Sequence, residues 1–394
     1  MKKFGNPGLS DHKERASTGV QIMPSMEALE DTCSHRDEDP LAAYARPGFN
    51  RCSFVKSFLV TPAGDVPVIK TCLGKDDLFS SFYVRLGMSR LRYSVSPGLY
   101  AVGKPDRDSE VLVTANFKLT FDLLRKKLGG INAWVLVLDT QGVNVWCAAG
   151  KGSFATGELV HRITAVSLEK VVAHRRLILP QLGATGVNAG QVKKQSGFRV
   201  IFGPVRAEDI PAFLDQGKKA DKQMRQVTFS LYERFILTPV EIKILLKPKP
   251  LFIALLVLFF LSGIGPEIFS FAKAFDRGVL AFWAVVTGVI SGAVLTPVLL
   301  PVIPARAFAL KGFFAGSVSA LILLMVFSAS VGTGAGHAAL FFLSVSISSY
   351  LAMNFTGATP FASPSGVEKE MKQYLPIQLC GLLLSTGLWI YSAF

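Results

Sequence analysis

The chain reads as an α/β domain of the Rossmann type, with a mostly parallel sheet, followed by an all-α transmembrane domain of five helices. Three observations support this. Short β-rich runs alternate with helical patterns over residues 50–235. From about residue 250 onward, apolar stretches long enough to cross a bilayer take over. The mean hydropathy of +0.40 therefore averages two unlike halves.

Residues 1–48 are rich in charge, Ser and Pro without lasting periodicity, and are expected to be a disordered or variable N-terminal segment. Cys33 and His35 there are too sparse for a metal site. The opening MKKFGNPGLSDHKERAS lacks the apolar stretch of a secretion signal. The soluble domain is expected over 49–240. Val111–Thr114 is a strand, and apolar residues at helical spacing follow over Phe117–Leu128, stopped by Gly129 and Gly130. Trp134–Asp139 is a continuous apolar run, as a buried parallel strand requires. A helix begins near Asn144. Leu177–Pro180 and Phe198–Phe202 are further strands, the second leading into a helix around Ala207–Gln216.

In such sheets ligands bind outside the carboxyl ends of the strands. Here those ends carry Thr114, Asn116, Thr140, Gln181, Leu182, Gly183, Ala184, Gly203 and Pro204. Small residues let the backbone approach a broad ligand, and neutral amides suit a ligand rimmed with carboxamides. Ordinary strand-to-helix turn chemistry accounts for the same residues equally well.

Six Lys/Arg and four Asp/Glu of the 42 and 28 follow Pro250, leaving 36 and 24 before it, a net of +12. That balance beside a membrane suits anionic lipid or an acidic protein partner. The basic residues are scattered, with no stripe or motif that argues for nucleic acid. None of the five cysteines forms a CxxC pair, which argues against a disulfide framework, an iron–sulfur cluster or structural zinc.

The transmembrane domain is expected over 241–394, with spans near 251–271, 279–300, 308–330, 338–355 and 375–394. Lys243, Lys247, Lys249, Arg306, Lys311, Lys369 and Lys372 fall on one side, and Lys273 and Arg277 on the other. The asymmetry puts the soluble domain in the cytoplasm and the C-terminus outside. Mid-span charges are absent from the sequence, which favours an anchor over a transporter. The Gly- and Pro-broken stretch 288–304 keeps a transporter, with the soluble domain as its sensor, open. The loop 354–371 reads either as a docking element or as a plain connector.

Asn144–Lys151 is unusual. Asn144 suits an N-cap, which puts Cys147 in the first helical turn with Lys151 one turn on. Helix dipole and Lys151 are both expected to favour a thiolate. With Val145 and Trp146 before them, Ala148, Ala149, Gly150 and Gly152 leave a face almost bare of side chains. Such a face suits a flat macrocycle with sulfur offered to its metal. It also suits a nucleophilic thiol with His161 or His174 as base, or a small buried cysteine. The residues alone leave all three open.

The run NVWCAAGKGSF, preceded by WVLVLDTQG, resembles the cap-helix signature of the mercury methylation corrinoid protein family. That family is related to the corrinoid-binding domain of the corrinoid iron–sulfur proteins. GLYAVGKP, VLVTANFKLTFDLLR, LILPQLGATGV, SGFRVIFGPVRAEDIPAFL, NFTGATPFASPSGVEKEM and the apolar tail are also similar, so the resemblance covers roughly residues 50–394. It implies a corrinoid-binding domain holding a cobalamin-type cofactor base-off, with Cys147 as lower axial ligand to cobalt. Asn144–Lys151 and the strand-end residues above would form the binding surface. The sequence has no DxHxxG motif to supply a histidine to cobalt and no cysteine cluster, in keeping with that expectation.

The resemblance further implies a methyltransferase of the inner membrane of an anaerobic prokaryote. A methyl group from a methyl-folate-type donor, or its methyltransferase, would pass through cobalt to Hg(II), giving methylmercury. A ferredoxin-like iron–sulfur partner would supply electrons, and the +12 front half suits an acidic one. The alternative is a corrinoid methyl carrier of one-carbon metabolism with another acceptor.

Overall fold

The computed structural model describes residues 53–88, 93–245, 247–356, 359 and 364–394. The expected variable segment 1–48 lies outside these. The chain divides into two compact units. One comprises residues up to Ser81 with Ser89–Gln226, and the other Phe82–Met88 with Val227–Phe394.

The first unit opens with β1 (Val55–Thr61), β2 (Gly64–Ile69), α1 (Lys75–Arg85) and β3 (Gly98–Val102). Then come β4 (Val111–Ala115), α2 (Lys118–Lys127), β5 (Ala133–Leu138), α3 (Val145–Lys151), α4 (Thr156–Ala165) and α5 (Leu168–Val171). It closes with β6 (Arg176–Leu179), α6 (Ala189–Ser196), β7 (Arg199–Phe202) and α7 (Ile210–Asp215). The strands form one sheet in the order β1-β2-β3-β5-β4-β6-β7.

The sheet is mixed but mostly parallel, as expected: four of its six strand pairings, β2–β3 included, are parallel. β4, β5, β6 and β7 are parallel, but β3 runs antiparallel to β5, and β1 and β2 form an antiparallel hairpin. The hairpin and β3 extend the sheet on the β5 side. β1 and β2 are only half buried, so they lack the continuous apolar runs that mark β4 and β5 in the sequence.

Alternation of side chains splits the core in two. Val111, Val113, Trp134, Leu136, Leu177 and Leu179 face α3 to α6. Leu112, Val135, Val137 and Ile178 face Phe121 and Leu124 of α2 and Phe213 of α7. β4 leads to β5 on one side, and β5 returns to β6 on the other side of β4. The crossovers therefore diverge between β4 and β6, which pair at Leu112↔Ile178. Open α/β sheets bind their ligands outside the carboxyl ends of the strands at such a point.

The second unit contains α8 (Leu231–Phe235), α9 (Thr238–Leu245), α10 (Pro248–Gly263), α11 (Phe271–Val298), α12 (Phe308–Val331), α13 (Gly334–Phe355) and α14 (Pro364–Tyr391). Four of these helices, α11 to α14, are long and apolar enough to cross a membrane. The expected first span, 251–271, differs. Its helix α10 has 16 residues and stops at Gly263. A small hairpin, Ile264–Gly265 against Ile268–Phe269, follows through Pro266. The Phe269 ring covers Gly263, where a Cβ would collide with it.

Glycines let these helices approach closely. A Cβ on Gly288 or Gly292 of α11 would fall 2.7 and 2.5 Å from the Ser344 and Ser348 carbonyl oxygens of α13. One on Gly312 or Gly316 of α12 would fall 2.5 Å from Ala352 Cβ and 2.6 Å from Ser348 Cβ. Serines on α13 complete the seam: Ser344 donates to the Ala284 carbonyl at 2.8 Å and Ser348 to that of Gly312 at 2.7 Å. Gly288 and Gly292 of the broken stretch 288–304 thus serve helix packing. The helix there passes through a wider turn, Ser291–Leu295, and resumes before Pro297. Of the loop expected over 354–371, the part from Pro364 is already helical, and much of the rest lies outside the described residues.

Candidate functional site

The parallel strands aim four chain turns at one end of the first unit. The turn after β5 is the most elaborately held. Asn116, the residue after β4, accepts with its Oδ1 from the backbone N–H groups of Thr140 and Gly142, both at 3.0 Å. Thr140 Oγ1 lies 2.8 Å from the same oxygen and 2.6 Å from the Val143 carbonyl oxygen. Asn116 Nδ2 donates to Asp139 Oδ1 at 3.2 Å, and that oxygen also accepts from the Gln141 N–H at 3.0 Å. Gln141 and Gly142 both take positive φ, 57° and 68°, so the chain reverses sharply before the helix. Glu158 of α4 braces the turn from outside: its Oε1 accepts from the Asp139 N–H at 2.8 Å and is paired with Arg162 at 2.7 Å.

α3 starts where that turn ends. Asn144 is extended, and its Oδ1 accepts from the Cys147 N–H at 2.9 Å, an N-cap bond. Gly152 ends the helix in the left-handed region at φ 81°. Val145, Ala148 and Ala149 are buried in the core, so the bare face expected from four small residues is divided. Ala148 and Ala149 turn inward. Trp146, Cys147, Gly150 and Lys151 are exposed, and a Cβ built on Gly150 or Gly152 meets nothing within 4 Å. The exposed thiol does not match the reading of Cys147 as a buried packing residue.

The turn after β6 lies against the helix. Gly183 is buried, and a Cβ there would come 2.5 Å from the Phe154 ring. A Cβ on Gly186 would collide with the Phe154 carbonyl oxygen and sit 3.0 Å from Ala149 Cα. Leu182 and Ala184 are half-buried. Gln181 Oε1 is buried and makes no hydrogen bond.

The remaining candidates lie elsewhere. Thr114 is buried inside β4. Gly203 and Pro204 are buried after β7, with Gly203 turned toward Ile178 and Phe213 on the other face of the sheet. His174 precedes β6, at the far end of the strand, with Nε2 2.9 Å from the Ser109 carbonyl oxygen. It is therefore not placed as a base for Cys147. Among the described residues no group of three or more His, Cys, Asp or Glu is placed to hold a metal ion. Gly186, Phe154 and Glu158 carry no chemical signal in the sequence, since each works through packing or a backbone contact.

Beyond Asn116, α2 buries a ring of four charges. Lys118 Nζ lies 2.7 Å from both Asp77 and Asp122, and Arg125 lies 2.7 Å from both as well. Burial pushes the Asp77 carboxyl up, but Lys118 and Arg125 more than reverse this and hold it below the usual value. Burial lowers Lys118, and Asp122 and its other partners more than restore it, leaving it above the usual lysine range.

Residues 88–214 match the family model of the CO dehydrogenase/acetyl-CoA synthase delta subunit. This stretch holds β3 to β7, the turn at Asn116 and the helix bearing Cys147. The gamma subunit of the acetyl-CoA decarbonylase/synthase complex of Archaeoglobus fulgidus is 29% identical over 167 residues, 41% of this chain and 35% of the relative. Its counterpart in Methanopyrus kandleri is 38% identical over 125 residues, 31% of this chain and 26% of the relative. That of Methanothermobacter thermautotrophicus is 33% identical over 125 residues, 31% of this chain and 27% of the relative. The chain thus spans about a third or less of the length of these curated relatives.

Proposed function

We propose that the chain binds a cobalt corrinoid on the exposed face of α3, with Cys147 Sγ as lower axial ligand, and serves methyl transfer at a membrane. The observation that carries this is an exposed thiol on a capped helix, ringed by positions open enough for a flat ligand, at the carboxyl ends of parallel strands. The residues present fit such a group. Cys147 offers a soft sulfur donor. Gly150 and Gly152 leave room, and the Gln181 carbonyl oxygen lacks a donor that a carboxamide rim would supply. Trp146, 36% exposed, adds an apolar edge. When bound, a corrinoid supplies a cobalt centre that accepts and releases methyl groups. The chain's own task would be to hold the thiol in one place, through the Asn144 cap and the turn held by Asn116.

The acetyl-CoA decarbonylase/synthase relatives support a methyl carrier of one-carbon metabolism. On this reading a methyl-folate-type donor or its methyltransferase would feed it. A second reading, Hg(II) as acceptor, is favoured by one observation. The family match ends at residue 214, and the Cys147 helix is here joined to membrane-length helices beyond it. That join is what resembles the mercury methylation family. Under either reading the soluble unit faces the cytoplasm and a ferredoxin-like reductant docks on the basic unit. The C-terminus expected outside requires a fifth crossing, whereas four crossings by α11 to α14 return it to the cytoplasmic side.

The test is the cobalt content and visible spectrum of anaerobically purified full chain, followed by methyl transfer with a ferredoxin reductant. Near-stoichiometric cobalt with a base-off spectrum supports the reading, and a colourless, cobalt-free protein that takes up no added corrinoid overturns it. Methylmercury formed from added Hg(II) selects the second acceptor. Methyl delivery to an acetyl-CoA synthase without methylmercury selects the first.

A further inference from the structure

We infer that Asn116 is the positioning residue for the Cys147 thiol, acting through the Thr140–Gly142 turn without touching the ligand itself. The inference deepens the corrinoid reading and rests on it only for the consequence at cobalt.

One carboxamide oxygen accepts two backbone donors, the Thr140 N–H and the Gly142 N–H. It also lies 2.8 Å from the Thr140 hydroxyl, whose single proton it shares with the Val143 carbonyl oxygen. The nitrogen of the same group reaches Asp139 Oδ1. All are spent on the segment that links β5 to the Asn144 cap. Asn116 is 5% exposed and Thr140 fully buried, so water cannot replace these bonds. Asn116 follows β4, whose neighbour β5 ends at Leu138, so the clamp ties the turn to the central strand pair of the sheet. From Thr140 to Cys147 the chain then has two fixed points, the clamp and the N-cap bond of Asn144. Gln141 is held at φ 57°, a conformation a non-glycine residue keeps only when its surroundings impose it. Asn116 is therefore committed internally, and its influence on a ligand runs through the placement of sulfur.

The experiment uses full-length, corrinoid-free protein in which Cys33, Cys52, Cys72 and Cys380 are replaced by Ser. Nitroxide labels are placed on Cys147 and on Lys194→Cys of α6, and their distance distribution is measured by pulsed electron resonance. The native turn is expected to give one narrow peak. Asn116→Leu keeps the branching of the side chain but removes every bond, and is expected to broaden the peak at least about twofold, since two backbone donors lose their acceptor. Should that variant fail to fold, Thr140→Val removes one donor without changing side-chain shape and is expected to broaden the peak less, with Thr140→Ser restoring it. An unchanged peak in folded Asn116→Leu, or in Thr140→Val, overturns the inference. In a second arm, without labels, corrinoid-loaded Asn116→Leu is expected to keep its cobalt but lose the cobalt–sulfur absorption. Retention of that absorption contradicts the consequence at cobalt. If the unsubstituted chain binds no corrinoid, the functional reading fails while the peak width still decides the role of Asn116.

Discussion

Asn144 Oδ1 accepts the backbone N–H of Cys147 at 2.9 Å, so the residue that starts the helix also fixes the residue that bears the thiol. Asn144→Ala is expected to cost about 1 kcal/mol of stability, with Asn144→Asp or Asn144→Ser retaining most of it. Amide exchange at residues 145–149 checks this. Faster exchange there in the Ala variant, with α4 unchanged, is the predicted result.

Two glycines separate folding from binding. Gly186→Ala would force a Cβ into the Phe154 carbonyl oxygen and Ala149, and is expected to destabilise the first unit by about 1–3 kcal/mol. Gly150 faces open space, so Gly150→Leu is expected to leave the melting temperature nearly unchanged while abolishing corrinoid uptake. Calorimetry and cobalt analysis of the two variants read the difference.

The buried ring makes stability depend on pH in a defined direction. The Asp77 carboxyl is depressed below its ordinary 3.8, so its contribution is present above that value and fades as pH falls through the folded value. Lys118 is raised above its ordinary 10.5, so its contribution is complete below that value and is lost only in stronger alkali. Asp77→Asn is expected to cost about 3 kcal/mol at neutral pH, since Lys118 and Arg125 then share one carboxylate. It should also flatten the loss of stability as pH falls below the ordinary carboxyl value of 3.8. Thermal unfolding followed down through that value is the check.

In the membrane-length helices, Gly312→Leu is expected to break the α12–α13 contact, because even a Cβ falls 2.5 Å from Ala352 Cβ and 2.6 Å from the Ser348 carbonyl oxygen. Gly387→Leu, at a position with nothing within 4 Å, is the control. Loss of folded protein in detergent for the first and not the second is the expected outcome.

The sequence disclosed some of these features and hid others for physical reasons. Val111–Ala115 and Ala133–Leu138 were legible because a strand buried on both faces is apolar throughout. β3 was not, because its place beside β5 is a pairing between distant segments that no local pattern encodes. The helix at Val145–Lys151 was legible from its Asn cap, whereas the inward turn of Ala148 and Ala149 depends on what packs above them. Asn116 and Thr140 were legible as polar groups at strand ends, but not as partners of each other. Among the described residues four helices rather than five reach membrane length because α10 stops at Gly263, where hydropathy alone runs on.

The central claim is that Cys147 sulfur is the lower ligand of a cobalt corrinoid, and Cys147→Ala tests it most directly. Full-length native and Cys147→Ala chains would be purified without oxygen, loaded with the same corrinoid, and compared by visible and X-ray absorption at cobalt. The prediction is a cobalt–sulfur signal in the native chain that disappears in Cys147→Ala while folding is kept. An identical cobalt spectrum in the two chains, or no cobalt uptake by either, would contradict the account.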